Sequence, residues 1–373
     1  MPKIIKTYHT LTHMEKQIVT QHTAIYCNEN RWSLLRAGVE KLNPTKIFIL
    51  VDTNTFKYSL ELFLKHAGIK TPIETIIMPS GEKNKTIHTC IDIWNTLTKK
   101  GADRSSLLIN LGGGVVTDVG GFVASTFKRG IEFINVPTSL LAMVDAAIGG
   151  KNGVDLGTLK NQVGVVNNPS MVVVDPVFLN TLPKQEITSG FAEMLKHALV
   201  DSQDYWEQLQ DFDVKNLKST QNLIWSSIEI KNNIVLQDPN ELGARKVLNF
   251  GHTLGHAIES YCLESKTRPT LVHGQAIAIG IVLAIYISSN LVGFDKNKLA
   301  EITSFILTNF KRQAFNRQDI ESITTLLIHD KKSKAGAVLF VLLEDFGLAH
   351  INREVPKPLI IEAFKYYKDF KIN

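Results

Sequence analysis

The first half of this chain is a succession of short apolar runs, each closed by a polar or glycine-rich turn. Residues 46–51 end at Asp52-Thr53-Asn54, residues 73–78 at Pro79-Ser80-Gly81, and residues 106–111 at Gly112-Gly113-Gly114. Runs at 133–136 and 171–174 follow. A short apolar run between turn signals reads as a strand buried on both faces. Helical patterns, such as residues 86–100, separate several of the runs. Strand and helix in alternation predict a largely parallel sheet with helices on its faces.

After about Pro183 the strand signals fade. Helical periodicity covers residues 186–200, 213–236, 244–261, 274–291, 296–308, 319–329 and 358–367, with a short strand pair at 338–343 and 348–351. A chain of 373 residues is long enough for two cores. The reading is an α/β domain over 1–182 and a mainly α-helical domain over 183–373, closely packed because no low-complexity linker separates them. The cleft between them is then the default place for a site.

Composition narrows the function classes. At 44% hydrophobic and 21% charged, the chain has the make-up of a soluble globular protein. Its formal charge of +5 is small and its lysines are scattered, which argues against nucleic acid and suits a small anionic substrate. Cys27, Cys90 and Cys262 lie far apart with no CxxC spacing, so a disulfide framework is not expected and a reducing cytoplasm is. Met1-Pro2-Lys3 leads into no apolar run, so no secretory signal is read there. Residues 276–292 are apolar but include Gly280, Ser288, Ser289 and Asn290 and lack basic flanks. That segment reads as a buried helix, not a membrane span.

Gly112-Gly113-Gly114-Val115-Val116-Thr117-Asp118 follows a strand and opens a helix. Glycine lets main-chain N–H groups approach a phosphate, and a helix N-terminus favours negative charge. Only part of the GxGxxG fingerprint is present. Asp52 and Asn54 end the first strand, and Glu82 and Lys85 follow the next. Polar groups converging at the carboxyl edge of one sheet point to a dinucleotide.

In the second half, Glu241, Arg245, Asn249, His252 and His256 follow at steps of four, four, three and four. On one continuous helix those steps place all five on a single face. An imidazole-rich stripe flanked by apolar residues points to a buried site. Imidazoles are common ligands for zinc-like ions. His252 and His256 form a HxxxH pair, His273 follows after a short loop, and Glu193 is the available carboxylate. Spacing leaves open which two histidines bind. Lys151, Lys160, Lys196 and Arg245 lie within apolar or glycine-rich segments, and with Arg129, Lys231, Lys331 and Lys332 they form a set able to neutralise a phosphate and a carboxylate.

Together these motifs resemble those of the 3-dehydroquinate synthase family, over about Asp52 to Leu343. The resemblance rests on the loop at 112–118, Pro137-Thr138-Ser139-Leu140-Leu141-Ala142, Gly149-Gly150-Lys151, residues 190–196 and 248–257, and Asp330-Lys331-Lys332. It implies a Rossmann-like N-terminal α/β domain, a helical C-terminal domain, a homodimer, bound NAD and one divalent metal, zinc or cobalt. By resemblance Glu193, His252 and His273 are the metal ligands and His256 is a substrate-side histidine. Glu82, Lys85, Gly113, Gly114, Asp118, Thr138, Ser139 and Phe178-Leu179-Asn180-Thr181 match cofactor positions. Asp145, Lys151, Lys160, Asn161, Lys196, Lys231, Glu241, Arg245, Asn249, His256 and one of Lys331 and Lys332 match the substrate pocket, with Lys151 and Lys160 also counted towards the cofactor. Arg129 matches an arginine that reaches the substrate phosphate across the dimer interface.

The implied substrate is 3-deoxy-D-arabino-heptulosonate 7-phosphate. The implied course is transient oxidation of its C5 hydroxyl by NAD, loss of phosphate, re-reduction, ring opening and an intramolecular aldol closure to 3-dehydroquinate, a step of the shikimate pathway. Some positions depart from the family pattern. The segment between His256 and His273 is longer than in common members, Gln275 stands where glutamate is frequent, Pro239 and Asn240 replace charged residues, and Ala337 replaces a lysine. The rival readings are a sister sugar phosphate cyclase, altered around Arg245, Asn249 and His256, a metal-dependent polyol or glycerol-phosphate dehydrogenase, which releases NADH, and a catalytically silent NAD- and metal-binding module, against which the intact ligand and cation positions argue.

Overall fold

The computed structural model describes residues 16–157, 159–265, 268–327 and 338–372. In chain order the strands are β1 (Gln17–Val19), β2 (Ala24–Tyr26), β3 (Ile47–Asp52), β4 (Ile73–Met78), β5 (Leu107–Gly112), β6 (Glu132–Pro137), β7 (Lys151–Leu156), β8 (Leu159–Val166), β9 (Met171–Val173), β10 (Leu339–Asp345) and β11 (Leu348–Glu354). The helices are α1 (Arg31–Leu42), α2 (Thr53–Tyr58), α3 (Leu60–Ala67), α4 (Ile87–Lys99), α5 (Gly114–Thr126), α6 (Lys184–Asp201), α7 (Gln203–Leu209), α8 (Leu217–Gln237), α9 (His252–Glu264), α10 (His273–Leu291), α11 (Lys296–Asn309), α12 (Arg317–Leu326) and α13 (Lys357–Asp369). Packing divides them into two compact units. Among the described residues, one holds the chain up to Pro183 together with Phe212–Asn232; the other holds Lys184–Asp211 and the chain from Asn233 onward.

The first unit is built on a seven-stranded sheet in the order β1-β2-β9-β6-β5-β3-β4. Only the β1–β2 pair is antiparallel; the remaining neighbours run parallel. The central strands β3 and β5 are apolar on both faces, as a sheet covered on both sides requires. Phe48, Leu50, Leu108 and Phe133 pack with Val116, Val119 and Val123 of α5 in one core. Burying each such side chain contributes roughly 1.5–3 kcal/mol. From β3 the chain steps outward to β4, then crosses to the other side of β3 for β5. That reversal puts the carboxyl ends of β3 and β5 at a topological switch point, where open α/β sheets bind ligands. The hairpin β7–β8 is a separate antiparallel pair.

The second unit is mainly helical. Its centre is α10, which packs against α6, α9, α11 and α13. Every residue from Ala276 to Ile285 is buried. The helix is long and apolar enough to cross a bilayer, but 72% of its most apolar window lies inside the unit, so it is a core helix. The hairpin β10–β11 packs on the same unit and is antiparallel with two irregularities in register.

Candidate active site

Glu193 sits in α6 with its side chain wholly buried. Its Oε1 lies 3.2 Å from His273 Nε2 and 3.4 Å from His252 Nε2. Its Oε2 lies 2.5 Å from Lys196 Nζ, one turn farther along α6 and also buried. That contact is an ion pair by distance but is out of line for a hydrogen bond, so Oε2 has no well-directed donor.

Close main-chain packing brings these groups together. The Ser189 hydroxyl accepts the Gly274 N–H at 2.9 Å, and a Cβ on Gly274 would stand 2.2 Å from the Ser189 carbonyl oxygen. Glu193 lies one turn beyond Ser189, and His273 immediately precedes Gly274, so this contact sets the distance between carboxylate and imidazole. On the other side, a Cβ on Gly280 would stand 2.1 Å from the Gly251 carbonyl oxygen. Gly251 takes a left-handed conformation (φ 75°) and starts α9 with His252 as its first residue.

The tautomers follow from the second ring nitrogens. His252 Nδ1–H donates to the Phe250 carbonyl at 3.1 Å, which leaves the Nε2 lone pair facing Glu193. His273 Nδ1–H donates to Glu259 Oε2 at 3.1 Å. Burial opposes ionisation of Glu193, but Lys196 and His252 hold its carboxyl well below the usual carboxylate range. Burial lowers His252 below the ordinary imidazole value despite the pull of Glu193. His273 is also disfavoured by burial, yet hydrogen bonds to Glu193 and Glu259 push it up to about 10. His256 stands beside both rings, 5.1 Å from His252 and 5.7 Å from His273 between centroids. One ring nitrogen from each of the three histidines falls within 4.8 Å of the others. Two imidazole nitrogens and a carboxylate oxygen converging in this way make a donor set for a zinc-like cation.

The stripe from Glu241 to His256 is not the continuous helix its spacing predicts. Ala244–Asn249 is a 3-10 turn, the chain breaks at Phe250 and Gly251, and only then does α9 begin. Asp238 causes the first bend by accepting the N–H groups of Leu242, Gly243 and Arg245 at 3.0, 2.7 and 3.0 Å. Glu241 is left-handed (φ 58°). The polar residues still meet: Asn249 Nδ2 donates to Glu241 Oε1, and Arg245, buried, donates to the Pro239 carbonyl at 2.7 Å. The long segment before His273 is tied down by Arg268, whose Nε donates to Asp319 Oδ1 at 3.0 Å and whose Nη2 bonds Oδ2. Tyr261 OH donates to the same carboxylate at 2.5 Å.

In the α/β unit, Gly113 is the N-cap of α5 and no side chain caps that helix. A Cβ on Gly113 would stand 3.2 Å from Ser139 Oγ, and one on Gly114 3.2 Å from Ala146 Cβ. Thr138 N–H donates to the Gly112 carbonyl at 2.9 Å, so the 137–142 segment walls the loop. Val115 is partly buried, and Val116 and Thr117 face the core. Lys85, buried, donates to Asp118 Oδ2 and to Asn161 Oδ1, each at 2.6 Å. Burial works against its charge, but Asp118 and Glu82 raise it well above the ordinary lysine value. Lys160 pairs with Glu82 at 3.2 Å, and Lys231 with Asp145 at 2.7 Å. Asp145 lies in a single turn of π-helix, Ala142–Ala146, a form that often marks functional sites.

Other expected residues take quieter places. Asp52 Oδ1 accepts the N–H groups of Asn54 and Thr55 at 2.9 and 2.7 Å, capping α2. Phe178 and Leu179 are buried while Asn180 and Thr181 are exposed. Their turn is held by Asp175, which accepts from Trp32 Nε1 at 2.7 Å and pairs with Arg31 at 2.8 Å. Lys151 and Arg129 are exposed. Arg129 (φ 71°) and Asn161 (φ 52°) are left-handed, a conformation that side-chain-bearing residues adopt mainly where the surroundings demand it. Lys331, Lys332 and Ala337 lie outside the described residues. Sequence reasoning missed two carboxylates. Asp155 accepts the Asn161 N–H at 2.7 Å, and Glu259 lies behind His273; its spacing of seven from His252 was the available signal.

Family models describe both halves of the chain: 3-dehydroquinate synthase N-terminal matches residues 75–189, and 3-dehydroquinate synthase C-terminal matches 190–333. A 3-dehydroquinate synthase of Parabacteroides distasonis is 41% identical over 354 residues, covering 94% of this chain and 99% of the relative. The chain belongs to the 3-dehydroquinate synthase family. The fold extends beyond it. A 2-deoxy-scyllo-inosose synthase solved with carbaglucose-6-phosphate, NAD+ and Co2+ superposes with a TM-score of 0.81 at 23% identity, over 94% of this chain and 99% of that one. A 2-epi-5-epi-valiolone synthase from Streptomyces hygroscopicus subsp. jinggangensis, with NAD+ and Zn2+ bound, gives 0.81 at 20%, over 95% and 98%. Within the 3-dehydroquinate synthase family the two-part fold expected from sequence is therefore present, an α/β sheet unit and a helical unit.

Proposed function

We propose that this chain converts 3-deoxy-D-arabino-heptulosonate 7-phosphate to 3-dehydroquinate and inorganic phosphate, acting as a phosphate-eliminating cyclase. The observation that carries the reading is Glu193: a wholly buried carboxylate oxygen facing the Nε2 atoms of His252 and His273. Glu193, His252 and His273 are the residues that would hold a divalent cation, zinc or cobalt. Two features support the fit. Each imidazole has its other nitrogen tied back, as metal-ligating histidines do, and one carboxylate oxygen lacks a well-directed donor. The loop at 112–118 fits the pyrophosphate of NAD, since an uncapped helix N-terminus meets a wall that a Cβ would crowd at 3.2 Å. When bound, the cation supplies Lewis acidity towards the substrate hydroxyls and NAD supplies a reversible hydride acceptor.

The chain's own groups supply binding and orientation. Lys196 and Arg245, both buried, present fixed positive charge to an anionic substrate, and a fixed guanidinium matches a carboxylate. Asn249, held by Glu241, and His256 offer hydrogen bonds to substrate hydroxyls. Lys151, Lys160, Asn161 and Lys231 are read as further pocket groups, and Glu82, Lys85 and Asp118 as cofactor contacts. Retention of Arg245, Asn249 and His256 favours the carboxylate-bearing substrate over those of the sister cyclases. A homodimer is part of the reading. The hairpin β7–β8 exposes the apolar side chains of Leu156, Leu159, Val163 and Val166, which a second copy would cover, and Arg129 is exposed as a residue acting across an interface must be. Three buried free thiols suit a reducing cytoplasm.

The test is incubation with the heptulosonate phosphate, NAD and zinc or cobalt, following phosphate and the carbocyclic product together. Equal release of both is expected, with no net NADH. Accumulating NADH without phosphate would replace the cyclase by a dehydrogenase.

A further inference from the structure

Glu259 is a buried carboxylate that metal ligation and substrate binding leave unexplained. It lies on α9, seven residues after His252 and three after His256, so helical spacing carries it to the same side. The residue is 7% exposed, and Oε2 sits 3.1 Å from His273 Nδ1, the ring nitrogen turned away from Glu193. A carboxylate shut away from water is costly unless a donor or cation answers it. An apolar residue at this position would pack without that cost. A neutral imidazole presents a lone pair on one nitrogen only while the proton stays on the other.

We propose that Glu259 is the positioning residue for His273: it holds the Nδ1 proton and the ring plane, so that Nε2 faces Glu193 and is the nitrogen left to give its lone pair to a cation. This rests on reading Glu193, His252 and His273 as the metal ligands. One rigid helix then sets two of the three donors, His252 directly and His273 through Glu259. The two imidazoles differ in how they are held. His252 leans on the Phe250 carbonyl, a main-chain acceptor that no substitution removes, whereas His273 leans on a side chain. No bond is made or broken by Glu259; its role is orientation.

The experiment titrates zinc into wild type, Glu259→Gln, Glu259→Ala and His273→Ala against a chromophoric chelator, and records the visible spectrum of each cobalt(II) form. Wild type takes up one equivalent. Glu259→Ala binds zinc about 10–100-fold more weakly and shifts the cobalt bands. Glu259→Gln, which keeps an acceptor and the volume, falls between. NAD affinity is unchanged in both. Zinc affinities within about twofold of wild type, with an unaltered cobalt spectrum, overturn the proposal. Loss of zinc from both Glu259 variants as complete as in His273→Ala also overturns it, because Glu259 is then a ligand. If Glu259→Ala does not fold, Glu259→Gln decides by the same two readouts. A wild type that takes up no zinc refutes the ligand reading beneath it, an outcome distinct from equal binding by wild type and variants.

Discussion

The candidate metal cluster in the helical unit and the glycine loop in the α/β unit are made of opposite materials. In the helical unit the working groups are side chains, packed so that each charge has an answering charge: Glu193 with Lys196, and His273 with Glu193 and Glu259. In the α/β unit the working groups are main-chain N–H donors at the start of α5, and the glycines matter for what they lack. A cluster of side chains is damaged by losing a partner. A main-chain cradle is damaged by gaining an atom. The two therefore call for opposite kinds of substitution.

Glu193→Ala should have the largest effect. It removes a proposed ligand and takes from the buried Lys196 ammonium the carboxylate it pairs with, which costs about 3–5 kcal/mol. Urea unfolding should register that loss, metal content should fall to background, and the folded fraction should still bind NAD. If metal content is normal, Glu193 is a core ion pair and nothing more. Gly113→Ala is the reciprocal change. It should weaken NAD by about tenfold, or ~1.4 kcal/mol, with zinc content unchanged. Calorimetric titration with NAD checks it, and an unaltered affinity would remove the pyrophosphate from this loop.

Arg268→Ala tests whether the clasp behind His273 steadies the helical side. Charge-assisted hydrogen bonds of this kind contribute about 1.5–3 kcal/mol. Burial opposes ionisation of Asp319, but its bonds from Tyr261 and Arg268 hold the carboxyl below its ordinary value. A depressed carboxylate adds stability that is present above its unfolded pKa and disappears as pH falls through the folded one. The stability gap between wild type and Arg268→Ala should therefore be full at neutral pH and close below about pH 4. A gap independent of pH would assign the loss to packing of the Arg268 guanidinium on the Phe315 ring, whose centroid lies 5.4 Å away. The smallest expected effect is chemical. Burial pushes the thiols of Cys27 and Cys90 up to about 12, so a disulfide reagent at pH 8 should leave the native protein unmodified and label all three cysteines once it is unfolded.

The same contrast governs how much was legible beforehand. The five apolar runs became β3, β4, β5, β6 and β9; β3 and β5, buried on both faces, write their burial into nearly every residue, while β4 is a partly exposed edge strand. The hairpin β7–β8 was not seen as strands. It is half exposed and carries Gly153 and Gly164, packed against each other's strand, where a pattern would need side chains. Residues 186–200, 274–291 and 358–367 read correctly as helices from their period. The stripe from Glu241 to His256 misled on continuity, since its spacing fits a helix while Asp238 and Gly251 bend the chain twice. Glu193 stood out as the available carboxylate from the residues, but the choice of His252 and His273 over the HxxxH pair rested on the resemblance. Glu259 escaped because a carboxylate near the end of a helix looks like an ordinary surface charge.

The seam between Ser189 and Gly274 has a consequence for how the protein matures. Because the Ser189 hydroxyl and two closely packed backbones make that seam, it should hold the pocket's shape before any cation arrives. Folding and loading are then separate events: a chelator should strip the protein without melting it, and resupplied zinc should restore it without a refolding step.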